Sequence, residues 1–446
     1  MAFEMRGFAE QLCRFRSTAG AEASAANWVR QQLADLGFET YGWTADANLL
    51  STHPSFPGDP ADIDVEGRES VAGALLVGDA PAIDGADDGS RSGDRNADTT
   101  PRTIVLNGHL DVVPAAAGSW STDPFDPEWD YRGTDTTGDG KTLTARGAAD
   151  MKSGLAACVG AALDVRAAAE SGTFDPPESG LRIVVEAVAG EEDGGYGAAT
   201  AALTNPYPFE RDAAIIAEPT ELRPVIACEG CLMAELRLVG RSSHAATRWR
   251  GEDVLPRFEA IREAFSALEN ERARTVTHPL FEGVPVPWPV VCGTVEAGSW
   301  ASTVPAALTA EFRIGVAPGE TVDEVERAFR DRLEAVAAED SWLREHPPAL
   351  DRFSVQFEPS ETPVDAPVVE AVREGLADVG ASNTEPVGAT YGTDARHYIE
   401  AGIPTVVFGP GTIDEAHYPN ETIEWASVEE GRAAIAATVR AFADRS

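Results

Sequence analysis

The chain has 446 residues, more than a single hydrophobic core usually organises, so its length predicts two domains. It carries 74 acidic against 35 basic residues, a net charge of −39. Such an acidic surface repels nucleic acid and anionic lipid, so we expect neither as a partner. No apolar run is long enough to cross a bilayer, and the first residues lack a basic stretch followed by an apolar one, so we expect neither a membrane span nor a secretory signal.

The basic and sulfur-containing residues indicate the environment of the protein. Only two of the basic residues are lysines, and the acidic residues are spread along the chain. Such a surface is typical of a high-salt cytoplasm, where salt screens the self-repulsion of the protein. Five cysteines do not make a disulfide framework in so long a chain, and Cys228 and Cys231 lack a second pair to complete a zinc site. We therefore expect reduced thiols.

The N-terminal part begins with helices and continues into an irregular segment. Residues 5–36 predict an amphipathic helix pair that ends at Gly37, and residues 38–50 predict a strand or two. Residues 52–101 are rich in Pro, Gly, Asp and Ser, with one candidate strand at 72–78. This composition predicts an acidic, mobile surface insertion.

Strand and helix patterns then alternate. Apolar strands are predicted at 103–112, 181–187 and 213–217, with helices at 153–169 and from 197. Alternation of this kind predicts an α/β domain with a largely parallel sheet, whose ligand site lies beyond the carboxyl ends of the strands.

From residue 223 the pattern changes. Residues 233–239 and 307–314 alternate apolar and polar side chains, as half-exposed antiparallel strands do. We therefore predict a second, smaller α+β domain over residues 223–359, inserted into a first domain formed by 1–222 and 360–446.

Charged segments follow the predicted strands of the first domain. His109 and Asp111 lie two apart at a strand end, so they face the same side, as a metal ligand and its hydrogen-bonding partner would. Each of the other segments also has an ordinary explanation as a cap, a turn or a solvated acid. These other segments contain Asp150, the pair Glu191 and Glu192, Glu218, and the late His417.

Adjacent carboxylates at one sheet edge repel each other unless a cation lies between them. Two divalent ions would bring a charge of +4, which Asp150, Glu192, Glu218 and a hydroxide would balance. Two histidines and three carboxylates are a suitable ligand set for zinc, with cobalt or manganese as alternatives. We therefore predict a site for two divalent metal ions.

Six motifs in this order resemble those of the M20 metallopeptidases and deacylases, over most of the chain except the 52–101 insertion. Further segments, among them Trp300-Ala-Ser-Thr-Val-Pro305, resemble the branch of acetylornithine deacetylase and succinyl-diaminopimelate desuccinylase. The six motifs are Gly108-His-Leu-Asp-Val-Val-Pro114, Arg146-Gly-Ala-Ala-Asp-Met-Lys152, Gly190-Glu-Glu192, Glu218-Pro-Thr220, Gly392-Thr-Asp-Ala-Arg396 and His417.

The resemblance implies a division of roles among the charged residues. His109 and Glu218 would bind one metal, Glu192 and His417 the other, and Asp150 would bridge them. Asp111 would hydrogen-bond His109 and fix its tautomer. Glu191 would be the general base, taking a proton from the attacking water and passing it to the leaving amine.

The resemblance also implies that the inserted domain is a lid and dimerisation domain. His244 would reach into the site of a partner subunit and stabilise the oxyanion, although a surface loop histidine is the alternative. Arg396 and Arg313 would hold a substrate carboxylate. Ser302 replaces an asparagine found in some members, which puts the substrate contacts inferred from those members in doubt, and His397 is left out of the ligand set.

The leading hypothesis is thus a cytoplasmic, homodimeric amide hydrolase that removes an acyl group from an N-acyl amino acid or a related small amide. A dipeptidase or carboxypeptidase with the same machinery is the first alternative, because motifs at the metals cannot report what flanks the scissile amide. An inactive metal-binding relative is the second, and the presence of Glu191 beside all five ligands argues against it.

Overall fold

The computed structural model describes residues 3–78, 100–116, 118–130 and 141–445. In these residues, none of the helices combines the length and the apolar composition needed to span a bilayer. The helices are α1 (Met5–Arg14), α2 (Ala23–Asp35), α3 (Ala47–Leu50), α4 (Ser153–Glu170), α5 (Tyr196–Thr204), α6 (Leu255–Thr275), α7 (Val322–Glu339), α8 (Ser341–Glu345), α9 (Pro367–Asp378), α10 (Ala395–Glu400) and α11 (Trp425–Ala443).

The strands of the described residues form one large and two small sheets. They are β1 (Glu39–Thr44), β2 (Glu69–Val77), β3 (Arg102–His109), β4 (Glu128–Asp130), β5 (Thr142–Thr144), β6 (Leu181–Val188), β7 (Ala213–Ile216), β8 (Val225–Cys228), β9 (Gly230–Val239), β10 (Val290–Ala297), β11 (Ala307–Val316), β12 (Ala349–Arg352), β13 (Ser360–Glu361), β14 (Val387–Ala389), β15 (Thr405–Val407) and β16 (Thr422–Glu424).

The large sheet has the strand order β1-β2-β6-β3-β7-β15-β8-β13, with β14 paired to β8. Its central strands β6, β3, β7 and β15 are parallel, and antiparallel pairs flank them. The central strands are apolar on both faces because helices cover both sides. Ile104 and Leu106 of β3 face the core beneath α4, α9 and α11, whereas Val105 faces the opposite core beneath α5 and α10. The predicted α/β class is confirmed.

The strand β2 corrects the prediction of a mobile insertion over residues 52–101. It pairs with β1 on one side and β6 on the other, and its residues 70–75 are buried in the sheet. The strand follows from its apolar run, Val71-Ala-Gly-Ala-Leu-Leu-Val77, whereas the acidic composition around it had favoured an insertion. Residues 79–99 lie outside the described residues.

The second sheet is antiparallel, with the order β10-β11-β9-β12, and helices α6 and α7 pack against one face of it. In β9 the alternate residues Leu232, Leu236 and Leu238 point into this separate core, as an antiparallel strand with one solvated face requires. A capping box between Thr321 and Glu324 starts α7. The third sheet, β16-β5-β4, lies beside the turn that precedes α4.

Candidate metal centre

Three of the predicted site segments lie at one edge of the large sheet. His109 is the last residue of β3, Glu191 and Glu192 follow β6, and Glu218 follows β7. Because β3 pairs in parallel with both β6 and β7, the carboxyl ends of these strands meet at the same edge. The fold thus brings together residues that are far apart in sequence.

Asp150 reaches this edge from the turn Ala148–Lys152 before α4, in which the Asp150–Met151 peptide bond is cis. The carboxylate of Glu421, which is fully buried, holds this turn. Its Oε1 accepts the backbone N–H groups of Ala149 and Asp150 at 2.8 and 3.0 Å, and its Oε2 accepts from Gly147 at 3.0 Å. The sequence alone gave Glu421 no role.

His417 completes the group from the loop after β15. Its backbone lies in the left-handed region with φ of 65°, which a non-glycine residue adopts at an energetic cost. Its Nε2 lies 3.0 Å from Glu192 Oε2 and 3.5 Å from Asp150 Oδ2. The side chain is half exposed, so this part of the centre is open to solvent.

Two groups of three residues could each hold a metal ion. His109, Asp150 and Glu218 form one, and Asp150, Glu192 and His417 form the other, with the ligand atoms of each group within 4.8 Å of one another. His109 Nε2 lies 3.0 Å from Asp150 Oδ1 and 3.8 Å from Glu218 Oε1. Asp150 belongs to both groups and offers one oxygen to each side. Nitrogen and carboxylate ligands that share a central aspartate fit a pair of divalent cations.

The pKa shifts of the cluster fit a site for cations. Burial and neighbouring carboxylates raise the pKa of Glu218 well above its usual range, and they act in the same way on Glu191. Burial opposes protonation of His109, but its hydrogen bond to Asp150 and the charge of Glu218 raise its pKa overall. Carboxylates crowded in this way hold protons unless cations neutralise them, so the site favours divalent metal ions.

Asp111 does not make the hydrogen bond predicted for its carboxylate. His109 Nδ1 instead lies 2.9 Å from the backbone carbonyl of Asp111, while the nearest carboxylate oxygen is 3.9 Å away. The carboxylate accepts the backbone N–H groups of Gly190 and Glu192, both at 2.9 Å. The carbonyl therefore orients His109, and the side chain of Asp111 fixes the turn after β6.

A cavity of about 450 Å³ opens onto the cluster. It is lined by Asp150, Glu191, Glu192 and Glu218 and by His417. Apolar side chains form much of the rest of the wall, and Arg313 also lines the cavity. These lining residues are Cys231, Met233, Phe357, Tyr391 and Ile413, together with Gly392 and Thr393. The cavity can hold a small molecule against the carboxylate cluster.

The three other residues expected to contact substrate occupy different positions. Arg313 lines the cavity and donates to Glu229 Oε1 at 2.8 Å and to the Thr390 carbonyl at 3.2 Å. Arg396 is buried outside the described cavity wall and donates to two backbone carbonyls. His244 is exposed beside a short 3₁₀ helix, and the described wall of the cavity does not include it.

Asp394 is a second buried acid to which sequence reasoning gave no role. It is 2 % exposed and its Oδ2 has no hydrogen-bond partner. Burial raises its pKa to about 7 even though the neighbouring Arg396 acts in the opposite direction. Asp394 belongs to the motif Gly392-Thr-Asp-Ala-Arg396, for which the sequence predicted a role of the arginine alone. In the described residues, Cys228 and Cys231 are free, buried thiols and belong to neither metal-binding group.

Comparison with known proteins identifies this arrangement. Residues 105–441 match the family described as Peptidase family M20/M25/M40. The fold is similar to a tripeptidase from Staphylococcus aureus (TM-score 0.68, 16% identity, covering 99% of this chain and 98% of that one). It is also similar to an M20 family metallo-carboxypeptidase from Sulfolobus solfataricus (TM-score 0.68, 15% identity, 99% of both chains). A dinuclear metal-binding M20 peptidase from Bacillus subtilis matches with a TM-score of 0.58, 15% identity and coverage of 98% and 96%.

Proposed function

Because the chain belongs to peptidase family M20/M25/M40 and is a metal-dependent hydrolase of amide or peptide bonds, we propose that it removes the acyl group from an N-acyl amino acid or a related small amide. The observation that carries this proposal is the composition of the cavity wall. In the described wall, every carboxylate belongs either to the two metal-binding groups or to the general base Glu191. A free α-ammonium group on the acyl side of the scissile amide, as in a peptide, would therefore find no spare acidic partner, whereas an acyl group without an ammonium needs none.

The two groups of ligands support a pair of divalent ions, with zinc as the first choice and cobalt or manganese as alternatives. His109 and Glu218 would hold one ion, Glu192 and His417 the other, and Asp150 would contact both. When bound, the ions lower the pKa of a water molecule and polarise the amide carbonyl.

Glu191 is the general base in this proposal. It lines the cavity beside the ligands, on the same turn as Glu192, but it belongs to neither metal-binding group. Its carboxylate is free to accept a proton from the attacking water and to donate that proton to the leaving amine. The burial and neighbouring carboxylates that raise its pKa favour such a proton carrier.

Arg313 supports recognition of a substrate carboxylate. Its guanidinium lines the cavity, and the described wall contains no other cationic side chain besides His417. The planar fork of an arginine binds a carboxylate through two parallel hydrogen bonds. The contacts of Arg396 with the carbonyls of Gln356 and Gly194 favour a supporting role for that residue instead.

A dipeptidase or carboxypeptidase activity is the second candidate. The tripeptidase and metallo-carboxypeptidase with similar folds favour it, and a C-terminal carboxylate would suit Arg313 equally well. Within the family, the resemblance of residues 300–305 to the acetylornithine deacetylase and desuccinylase branch favours the deacylase. The conjunction of Glu191 with all five ligands argues against an inactive relative.

The composition supports further parts of the proposal. A net charge of −39 and five cysteines without disulfides fit a reducing, high-salt cytoplasm. A homodimer formed through residues 223–359 would allow His244 to act in the site of the other subunit. This role would explain why an expected catalytic histidine lies exposed and outside the described cavity wall of its own chain.

The test is a substrate panel on the purified protein in high salt with added Zn²⁺ or Co²⁺. N-acetylornithine, N-succinyl-diaminopimelate and a set of dipeptides are assayed side by side with the wild type and Glu191→Gln. We expect turnover of an N-acyl substrate by the wild type and a loss of nearly all turnover in the variant, which keeps its metal. Turnover of dipeptides alone would establish the second candidate, and an unchanged Glu191→Gln would overturn the mechanism.

A further inference from the structure

A buried arginine lies directly against the turn that carries Glu191 and Glu192. Arg68 is 4 % exposed and precedes β2, in the region that its composition had marked as an insertion. Its Nη2 donates to Asp193 Oδ2 at 2.6 Å. Its guanidinium carbon lies 4.8 Å from the centre of the Tyr196 ring, which follows the same turn. Arg68 thus contacts the residues on both sides of Gly194 and Gly195.

The turn and the arginine are packed as closely as glycine allows. Gly190 has φ of 80°, and a Cβ there would lie 3.0 Å from Arg68 Nη1. The carbonyl of Gly190 accepts the backbone N–H groups of Gly195 and Tyr196, which closes the turn on itself. Arg68 therefore packs against the beginning of the turn and ties down its end.

Other contacts also hold this turn in place, and they come from β2 and from the residues after β3. Asp111, beyond β3, accepts the N–H groups of Gly190 and Glu192, and Ser70 Oγ of β2 accepts that of Ala189 at 3.0 Å. These contacts hold the backbone up to Glu192. The ion pair between Arg68 and Asp193 is the side-chain contact that holds the next residue.

A buried acid accompanies Arg68. Glu22 is fully buried, and its Oε1 lies 3.8 Å from Arg68 Nη1. Arg68 is thus buried between Glu22 on the inside and Asp193 at the surface, and it keeps its position because leaving it would break the close ion pair with Asp193. A lysine could not reproduce both the stacking on Tyr196 and the directed hydrogen bond to Asp193.

We propose that Arg68 is a positioning residue for the reaction, which holds the turn Gly190–Asp193 so that Glu191 and Glu192 face the metal centre. This inference rests on the proposed roles of Glu191 as base and Glu192 as ligand. It assigns a part in catalysis to the segment before β2, although that segment contributes no side chain to the described wall of the cavity.

The position of a general base matters more to the chemical step than to binding. A shift of about 1 Å in a catalytic group can cost on the order of a hundredfold in rate, whereas the cavity wall that binds substrate would remain unchanged. If Arg68 were purely structural, its replacement would instead lower the melting temperature and leave the rate of the folded, metal-loaded enzyme unaltered.

The experiment compares Arg68→Met, Arg68→Lys and Asp193→Ala with the control Arg182→Met, all in holoenzyme. Arg182 is a suitable control because it is equally buried and stacks on Phe209, yet it lies at the opposite end of β6 from the turn. The measurements are the melting temperature, the metal content, and kcat and KM at saturating metal. Glu191→Gln is included as a reference.

We expect Arg68→Met to lower kcat by about 10- to 100-fold at full metal loading, with KM changed by no more than about threefold. Arg182→Met should lose stability and keep its kcat, and Arg68→Lys should recover part of the loss. The double variant Arg68→Met with Asp193→Ala should lose little more than Arg68→Met alone, because both changes break one contact.

A kcat of metal-loaded Arg68→Met equal to that of Arg182→Met would overturn the inference. If Arg68→Met does not fold, Arg68→Lys and Asp193→Ala decide the question. Asp193 is partly exposed, so Asp193→Ala should fold, and the inference requires its kcat to fall. Full turnover by Glu191→Gln would instead reject the proposed function, whatever the Arg68 variants show.

Discussion

Glu421 and Asp150 are joined by a hydrogen bond of 3.0 Å in which the backbone N–H of Asp150 donates to the buried carboxylate of Glu421. The residues lie 271 positions apart in sequence. Because Asp150 belongs to both groups of candidate metal ligands, this contact couples the C-terminal part of the chain to the centre of the site.

Glu421→Gln is expected to weaken the binding of both metal ions, by about 10- to 100-fold, because an amide cannot accept all four of the hydrogen bonds made by the carboxylate. Metal titration followed by calorimetry measures the effect. Glu424→Gln, an exposed change three residues later, is the control and should bind as the wild type does. Equal affinities for the two variants would contradict the role of Glu421.

Asp111→Asn is expected to affect the two metal-binding groups unequally. The carboxylate of Asp111 holds the backbone of Gly190 and Glu192, whereas the backbone carbonyl orients His109. The substitution should therefore lower the metal affinity of the group that contains Glu192 by about 10- to 100-fold and leave that of the group with His109 unchanged. Stepwise Co²⁺ titration, monitored by absorption, resolves the two events. Parallel weakening of both would mean that the side chain acts on His109 after all.

Glu22 should make stability depend on pH near neutrality. Burial and the neighbouring Asp111 raise the pKa of Glu22 from 4.5 to about 7, so the fold favours the protonated form. Its contribution to stability is complete below the unfolded pKa and is lost as the pH rises through about 7. The free energy of unfolding of the wild type should thus fall between about pH 4 and pH 8 relative to Glu22→Gln, by at most about 3 kcal/mol, and should stay level at higher pH. Urea unfolding at several pH values tests this, and parallel pH curves for the two proteins would refute it.

Removal of salt is expected to destabilise the protein. A net charge of −39 repels itself strongly in dilute buffer, whereas molar salt shortens the Debye length to about 3 Å. The melting temperature and the activity should both fall as KCl is dialysed away, and both should return when it is restored. Full activity and an unchanged melting temperature in salt-free buffer would reject the proposed high-salt origin.

Mixing two inactive variants tests whether His244 acts across a dimer. In a hybrid of His244→Ala and Glu191→Gln subunits, one of the two shared sites would contain both intact residues. Random exchange should then restore about one quarter of the wild-type activity, since half of the dimers are hybrids. Differently tagged subunits verify exchange, and the unmixed variants serve as controls. Hybrids that form but stay inactive would exclude a shared site.

The residues at the sheet edge could be predicted from the sequence because each follows a short apolar run typical of a strand. Short apolar runs predicted the strands, and His109 and Glu218 come at their carboxyl ends. The parallel pairing of β3, β6 and β7 then follows from the alternation of strands and helices. In contrast, residues 72–78 predicted a strand that β2 confirms, but the acidic composition around it favoured an insertion and obscured its place in the sheet.

The hydrogen-bond partners of Asp111 and Arg396 could not be predicted in the same way. The sequence separation of Asp111 from His109 predicted a hydrogen bond between their side chains, yet the carboxylate turns to Gly190, 79 residues away. Arg396 belongs to a motif that suggested substrate binding, but its guanidinium donates to buried backbone carbonyls. Neither outcome has a local signature, because a polar side chain bonds to whichever unpaired group the fold brings near it.

The sequence by itself determined the fold class and the candidate ligands for two metal ions, because strand periodicity and an acid or a histidine directly after a strand are local properties of the chain. Only the tertiary structure decided which backbone groups Asp111 and Glu421 hold in place and which side chains Arg68 contacts. These choices depend on distances between segments that are far apart in the chain, and hydrogen bonds and ion pairs form only where packing has fixed those distances. His109 ends β3 and Asp111 follows two residues later, yet their side chains act on different parts of the site.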